Sequence, residues 1–160
     1  MSAKRILFVC TGNSCRSVMA ERLLRHILQR AGVDTVAVES AGAFAMDGMG
    51  PTAETLRVLQ DAGIDGRDHR SRRLTTEMIQ AADLIFAMEQ LHADEIVRWM
   101  PHAQSKVHLL NTHGLFPEQV EGSPNIADPI GKPLEVYEVC FSQISEAVER
   151  VAKSLGVHSR

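Results

Sequence analysis

No apolar run in this chain approaches the ~18 residues that a membrane-spanning helix requires, and the first stretch, MSAKRILFVC, is too briefly apolar for a secretory signal. Net charge is also nearly absent. Seventeen basic and 20 acidic side chains leave −3 with histidine neutral, so the whole-protein field gives no reason to expect nucleic acid or a membrane surface as a partner. Cysteine is scarce: Cys10, Cys15 and Cys140 are an odd number with no repeated spacing, which argues against a disulfide scaffold and against a structural zinc site. The expectation is a cytoplasmic protein with no metal and no cofactor, whose reducing surroundings leave Cys10 available as a thiolate.

A chain of 160 residues is enough for one domain, expected to span 1–160, and a domain of this size buries roughly 70% of the surface its unfolded chain would expose. The pattern alternates strands with helices. Ile6 to Val9 reads as a buried strand. A helix follows over residues 17–32, with Met19, Leu23, Leu24, Ile27 and Ala31 at helical spacing and Gly32 as its stop. TVAVES is a second strand, and a short helix then closes at Gly63. Thr75 or Thr76 can cap another short helix before the strand DLIFAM. EQLHADEIVRWM is helical up to Pro101, KVHLL is a fourth strand, and a long loop leads to a last helix from near Leu134. Strands alternating with helices indicate an α/β fold with a small parallel sheet covered on both faces.

One stretch does not serve the core. After Val9 the chain reads CTGNSCR and then begins a helix, so Cys10 sits at the carboxyl end of the first strand, where α/β proteins bind ligands. Thr11, Gly12, Asn13, Ser14 and Cys15 can wrap a tetrahedral oxyanion, with Gly12 free to take a conformation closed to most residues and Asn13 tolerating a left-handed one. Their amides would point inward as a nest, and Arg16 could place two parallel donors on the anion. The same amides and helix N-terminus would favour the thiolate of Cys10 and make it a nucleophile. Ser17 reads equally as a partner of that thiolate or as a helix cap.

VCTGNSCRSVMAE resembles the phosphate-binding loop of the low-molecular-weight protein phosphatases, a family of tyrosine phosphatases, bacterial arginine phosphatases and thioredoxin-coupled arsenate reductases. The resemblance extends through ESAG, DHRSR, ADLIFAM and the later ADPIG. It implies a three-layer α/β sandwich with a four-stranded parallel sheet in the order 2-1-3-4 and helices on both faces. It also implies catalysis by Cys10, Arg16 and Asp128. Cys10 attacks phosphorus, Asp128 protonates the leaving atom and then activates water, and Arg16 with the loop amides stabilises the transferring group. Asn13, Ser40 and His69 match positions that brace the loop. Asp83, Glu89, His92 and Trp99 receive no role beyond placement and packing.

The substrate implied is a phosphorylated protein or peptide. Tyrosine-directed members usually carry an aromatic residue after the DP pair and another after SAG; here Ile130 and Gly131 follow Pro129, and Phe44 is the nearby aromatic in the other segment. Ser14 stands where tyrosine-directed members carry an aliphatic residue and bacterial arginine phosphatases a threonine. Phosphotyrosine hydrolysis is taken as the main expectation, with protein arginine phosphatase close beside it. Arsenate reduction and a non-catalytic phosphate-dependent binding protein are the further alternatives. Oxidation could join Cys10 to Cys15, with a thiol reductant as partner.

Overall fold

Alternation along the first strand, β1 (Lys4–Cys10), sends Ile6, Phe8 and Cys10 to one side of the sheet and Leu7 and Val9 to the other. All five are buried, so both faces of the strand need cover. The computed structural model describes residues 4–157 and supplies that cover from both sides. β2 (Val36–Gly42), β1, β3 (Leu84–Ala87) and β4 (Val107–Leu109) form one sheet in the order 2-1-3-4 with every pairing parallel. The expected three-layer α/β sandwich is therefore the observed one.

On one face, α1 (Arg16–Arg30), α2 (Ala53–Asp61) and α5 (Leu134–Ser154) enclose Ile6, Phe8 and Phe86, whose two aromatic rings stack at 5.7 Å. Each large apolar side chain buried there stabilises the fold by roughly 1.5–3 kcal/mol. On the other face, α3 (Thr76–Ala81) and α4 (Gln90–Trp99) cover Leu7, Val9 and Ile85. Thr75 is the cap of α3, accepting the N–H of Met78. Along α5, Tyr137, Ile144, Val148 and Val151 are buried as the apolar stripe requires, while Phe141 and Leu155 flank the core half-buried. Ala31 departs from the expected α1 stripe: it caps the helix and is exposed, and Val18, Ala20 and Leu28 fill the buried face instead.

The strand order decides where chemistry can happen. β1 pairs with β2 on one side, Cys10 opposite Gly42, and with β3 on the other, Val9 opposite Ala87. The carboxyl ends of three strands and the N-termini of α1 and α4 thus meet in one place.

Candidate active site

The loop from Cys10 to Arg16 turns at Asn13, whose φ of 54° is left-handed and the one positive value among the described non-glycine residues. That turn aims the Asn13 N–H back at Cys10 Sγ, 3.3 Å away. Asn13 is fully buried and every polar atom of its side chain is used. Oδ1 accepts the N–H of Arg72 at 2.9 Å, which fixes the amide orientation, and Nδ2 donates to Ser17 Oγ at 2.8 Å and Ser40 Oγ at 3.0 Å. Because Ser17 accepts from Asn13, its own proton is free for Cys10 Sγ at 2.9 Å. Ser40 Oγ in turn donates a hydrogen bond to Glu21 Oε1 at 2.9 Å. Two donors therefore converge on the sulfur, the environment a thiolate takes.

Three expectations about this loop are resolved by the geometry. α1 begins at Arg16 with Cys15 at its cap position, so Ser17 lies inside the helix and its hydroxyl serves the sulfur. His69 is buried rather than solvated, and its Nε2 donates to the carbonyl of Asn13 at 2.9 Å; burial holds its pKa below the usual histidine value. Gly12 does not have a positive φ, and an added Cβ there would meet little but Ser14 Oγ at 3.6 Å, so the left-handed turn belongs to Asn13 alone. The glycine that the loop cannot replace is Gly42 on β2. A Cβ there would stand 2.6 Å from the carbonyl of Thr11 and 2.9 Å from the N of Asn13.

Arg16 is 1% exposed, and a buried guanidinium needs partners. Its Nη1 donates to Glu89 Oε2 at 2.6 Å and to the carbonyl of Ile126 at 2.7 Å, while Nη2 donates to Thr11 Oγ1 at 3.3 Å and lies 3.5 Å from Asp128 Oδ2. Nε has no partner among the described residues, so the Nε and Nη2 edge is the one left to face a bound oxyanion. Asp128 sits at the mouth, its side chain 37% exposed, with Oδ1 accepting the N–H of Ile130 at 3.1 Å. The segment that carries it is pinned by the N–H of Ile126 on the carbonyl of Met88 at 2.9 Å. Glu89 and His92 correct the sequence reading. Glu89 is the counter-ion of Arg16, and His92 Nε2 lies 2.8 Å from Thr11 Oγ1.

Ser14 is half-buried, while Phe44, whose N–H is held by the carbonyl of Thr11, and Ile130, whose N–H is held by Asp128, are both exposed, at 55%. Cys15 is buried, with Thr52 Oγ1 and Tyr137 OH each 3.5 Å from its sulfur. Cys140 is buried on α5 with its thiol directed at the carbonyl of Ala127, 3.9 Å away, and burial pushes its pKa up to about 12. Such a thiol is a poor relay for electrons. The three cysteines are free. Among the described residues, no three His, Cys, Asp or Glu side chains gather as metal ligands, and no helix is long and apolar enough to cross a membrane.

An oxyanion loop with a cysteine at its base, an arginine at its end and an aspartate above it has known counterparts. Residues 5–159 match the family described as low molecular weight phosphotyrosine protein phosphatase. The chain belongs to that family. It is 40% identical to a protein-arginine-phosphatase of Geobacillus stearothermophilus over 151 residues, 94% of this chain and 95% of that one. It is 35% identical to the low molecular weight protein-tyrosine-phosphatase Etp of Escherichia coli K12, covering 94% and 93%. The solved YwlE arginine phosphatase from Geobacillus stearothermophilus superposes with a TM-score of 0.82 at 38% identity, over 96% of this chain and 93% of that one. As a low molecular weight phosphatase the chain is a hydrolase of the cysteine-dependent phosphatase class, and its substrate is a phosphorylated protein or peptide.

Proposed function

We propose that this phosphatase is a protein arginine phosphatase working in the cytoplasm, with the whole chain, 1–160, acting as one domain. Cys10 Sγ attacks phosphorus; as the S–P bond forms, the P–N bond to the guanidine breaks and Asp128 gives its proton to the departing nitrogen. Water then attacks the cysteinyl-phosphate and yields its proton to the Asp128 carboxylate. The S–P bond breaks, and phosphate leaves a Cys10 thiolate. Thr11 to Cys15 supply amides to the equatorial oxygens, Arg16 adds its Nε and Nη2 donors, and Asn13, Ser17, Ser40 and His69 hold the loop in shape.

The observation that carries the arginine reading is the mouth. Asp128 presents a carboxyl group there with no aromatic residue behind Pro129, and Ile130 is exposed, so a planar polar guanidinium meets a hydrogen-bonding partner rather than a slot for a phenol ring. Ser14 adds a hydroxyl where an aliphatic residue would favour a ring. The 40% and 36% identities to two protein-arginine-phosphatases support the same choice over the phosphotyrosine expectation. Phosphotyrosine remains the second reading on account of Phe44, which stands near the loop through its N–H bond to the carbonyl of Thr11 at 3.0 Å.

The test is initial-rate hydrolysis of matched phosphoarginine and phosphotyrosine peptides by the reduced protein, with Cys10→Ser as the blank. A kcat/KM ratio of at least about tenfold for phosphoarginine, a difference of ~1.4 kcal/mol, is expected. Equal rates, or a preference for phosphotyrosine, would overturn the reading.

A further inference from the structure

His92 takes no step in the reaction above, yet it is fully buried at the start of α4 and faces the phosphate loop. Its two ring nitrogens have different partners. Nδ1 accepts the backbone N–H of Glu89 at 3.1 Å, so the proton of the neutral ring is on Nε2. Nε2 therefore donates to Thr11 Oγ1 at 2.8 Å, and Arg16 Nη2 donates to the same oxygen at 3.3 Å. With both lone pairs occupied, the Thr11 hydroxyl can act only as a donor, and its proton has no acceptor among the described residues. Arg16 Nη2 also lies 3.5 Å from Asp128 Oδ2, which puts the hydroxyl within the same cluster as the proposed general acid.

We propose that His92 is a positioning residue for phosphoryl transfer: by donating to Thr11 Oγ1 it commits the Thr11 hydroxyl proton to the transferring phosphoryl group and keeps the Nη2 arm of Arg16 in place beside it. The proposal rests on the cysteine-phosphatase role of the loop and is independent of the choice between arginine and tyrosine. The charged groups facing the ring are Arg16, Glu89 and Asp128. Burial first, and Arg16 second, bring its pKa down to about 4, so the neutral tautomer persists at the pH where a phosphatase works. A role limited to capping α4 would need only Nδ1.

Asparagine and glutamine separate the two nitrogens. His92→Asn retains an acceptor for the Glu89 N–H but is too short to reach Thr11, whereas His92→Gln can place an amide N–H near the Nε2 position. On p-nitrophenyl phosphate, His92→Asn should lose about tenfold in kcat, the size of one hydrogen bond, with KM nearly unchanged. His92→Gln should recover most of that loss. Thr11→Val should lose as much as His92→Asn, and the double variant no more than either alone. Wild-type kcat in His92→Asn, or losses that multiply in the double variant, would overturn the proposal. Should His92→Asn fail to fold, Thr11→Val decides alone, and a wild-type kcat there overturns it. A phosphotyrosine preference in the wild type would sink the arginine reading and leave this one standing, because the cycle is read on an aryl phosphate.

Discussion

On the Cys10 side the phosphate loop is braced by neutral groups: an amide, two hydroxyls and an imidazole, with the carboxylate of Glu21 separated from Asn13 by the hydroxyl of Ser40. On the Arg16 side the braces are charged, with Glu89 at 2.6 Å and Asp128 at 3.5 Å flanking one buried guanidinium. The difference follows from the charge each side must hold. A carboxylate beside the sulfur would oppose the thiolate, so donors are aimed there by neutral groups whose other valences are filled. A buried guanidinium without a counter-ion would be costly, and Glu89 neutralises it from the edge turned away from the oxyanion. The longer contact to Asp128 leaves that carboxyl at the mouth, where the proposed proton transfer needs it.

The comparison breaks most severely at Asp128. Asp128→Asn keeps the size of the side chain and its turn with Ile130 but removes the proton donor. It should lower kcat on a substrate with a poor leaving group by about 10³-fold, within the usual span of general acid catalysis, while a good leaving group such as p-nitrophenol suffers less. Steady-state rates on both substrates check this, and equal losses would remove Asp128 as the acid.

Asn13→Ala is the corresponding break on the neutral side. It deletes two donors and one acceptor from a fully buried site and leaves alanine in a left-handed conformation. A loss of roughly 3 kcal/mol in urea unfolding is expected from three hydrogen bonds at about 1 kcal/mol each, with a fall in kcat because the Ser17 hydroxyl is released from its orientation. Unchanged stability would mean that the loop holds its shape without the asparagine.

The two sides also differ in how far the sequence discloses them. Cys10, Asn13, Arg16 and Ser17 lie within one short segment, so their joint chemistry can be read from local order and glycine content. Glu89 and His92 meet the loop across 73 and 81 residues, and the carbonyl of Ile126 reaches Arg16 across 110. No local pattern announces such contacts. The order 2-1-3-4 does, because it sets the end of β3 beside the end of β1, so residues just after Ala87 must face the loop. Helix limits were legible where a cap or breaker marks them, as at Thr75 and Gly63. Gly42 was not, since its necessity lies in the approach of Thr11 and Asn13 from another segment. The substrate choice rested on which side chains line the mouth, and the exposure of Ile130 weighs against the phosphotyrosine expectation.

The gentlest way to sharpen the comparison is pH. His92 has a folded pKa of about 4 against about 6.5 when unfolded, and burial also lowers His69, His108 and His113. Between those values the unfolded chain binds protons that the native one refuses. The contribution of His92 is therefore fully present above pH 6.5 and is lost as the pH falls toward 4. At pH 5 the loss from this one ring is at most about 2 kcal/mol, set by the distance of that pH from the unfolded value. The urea midpoint should drop between pH 7 and pH 5, above the range in which the paired surface carboxylate Asp65, held down to about 2 chiefly by Arg67, begins to titrate in the folded chain. In His92→Gln the drop should be shallower, because glutamine keeps the donor to Thr11 and removes the proton that acid adds. An identical slope in wild type and variant would show that the ring is open to protonation in the native state, and that the charged side of the loop tolerates a second cation beside Arg16.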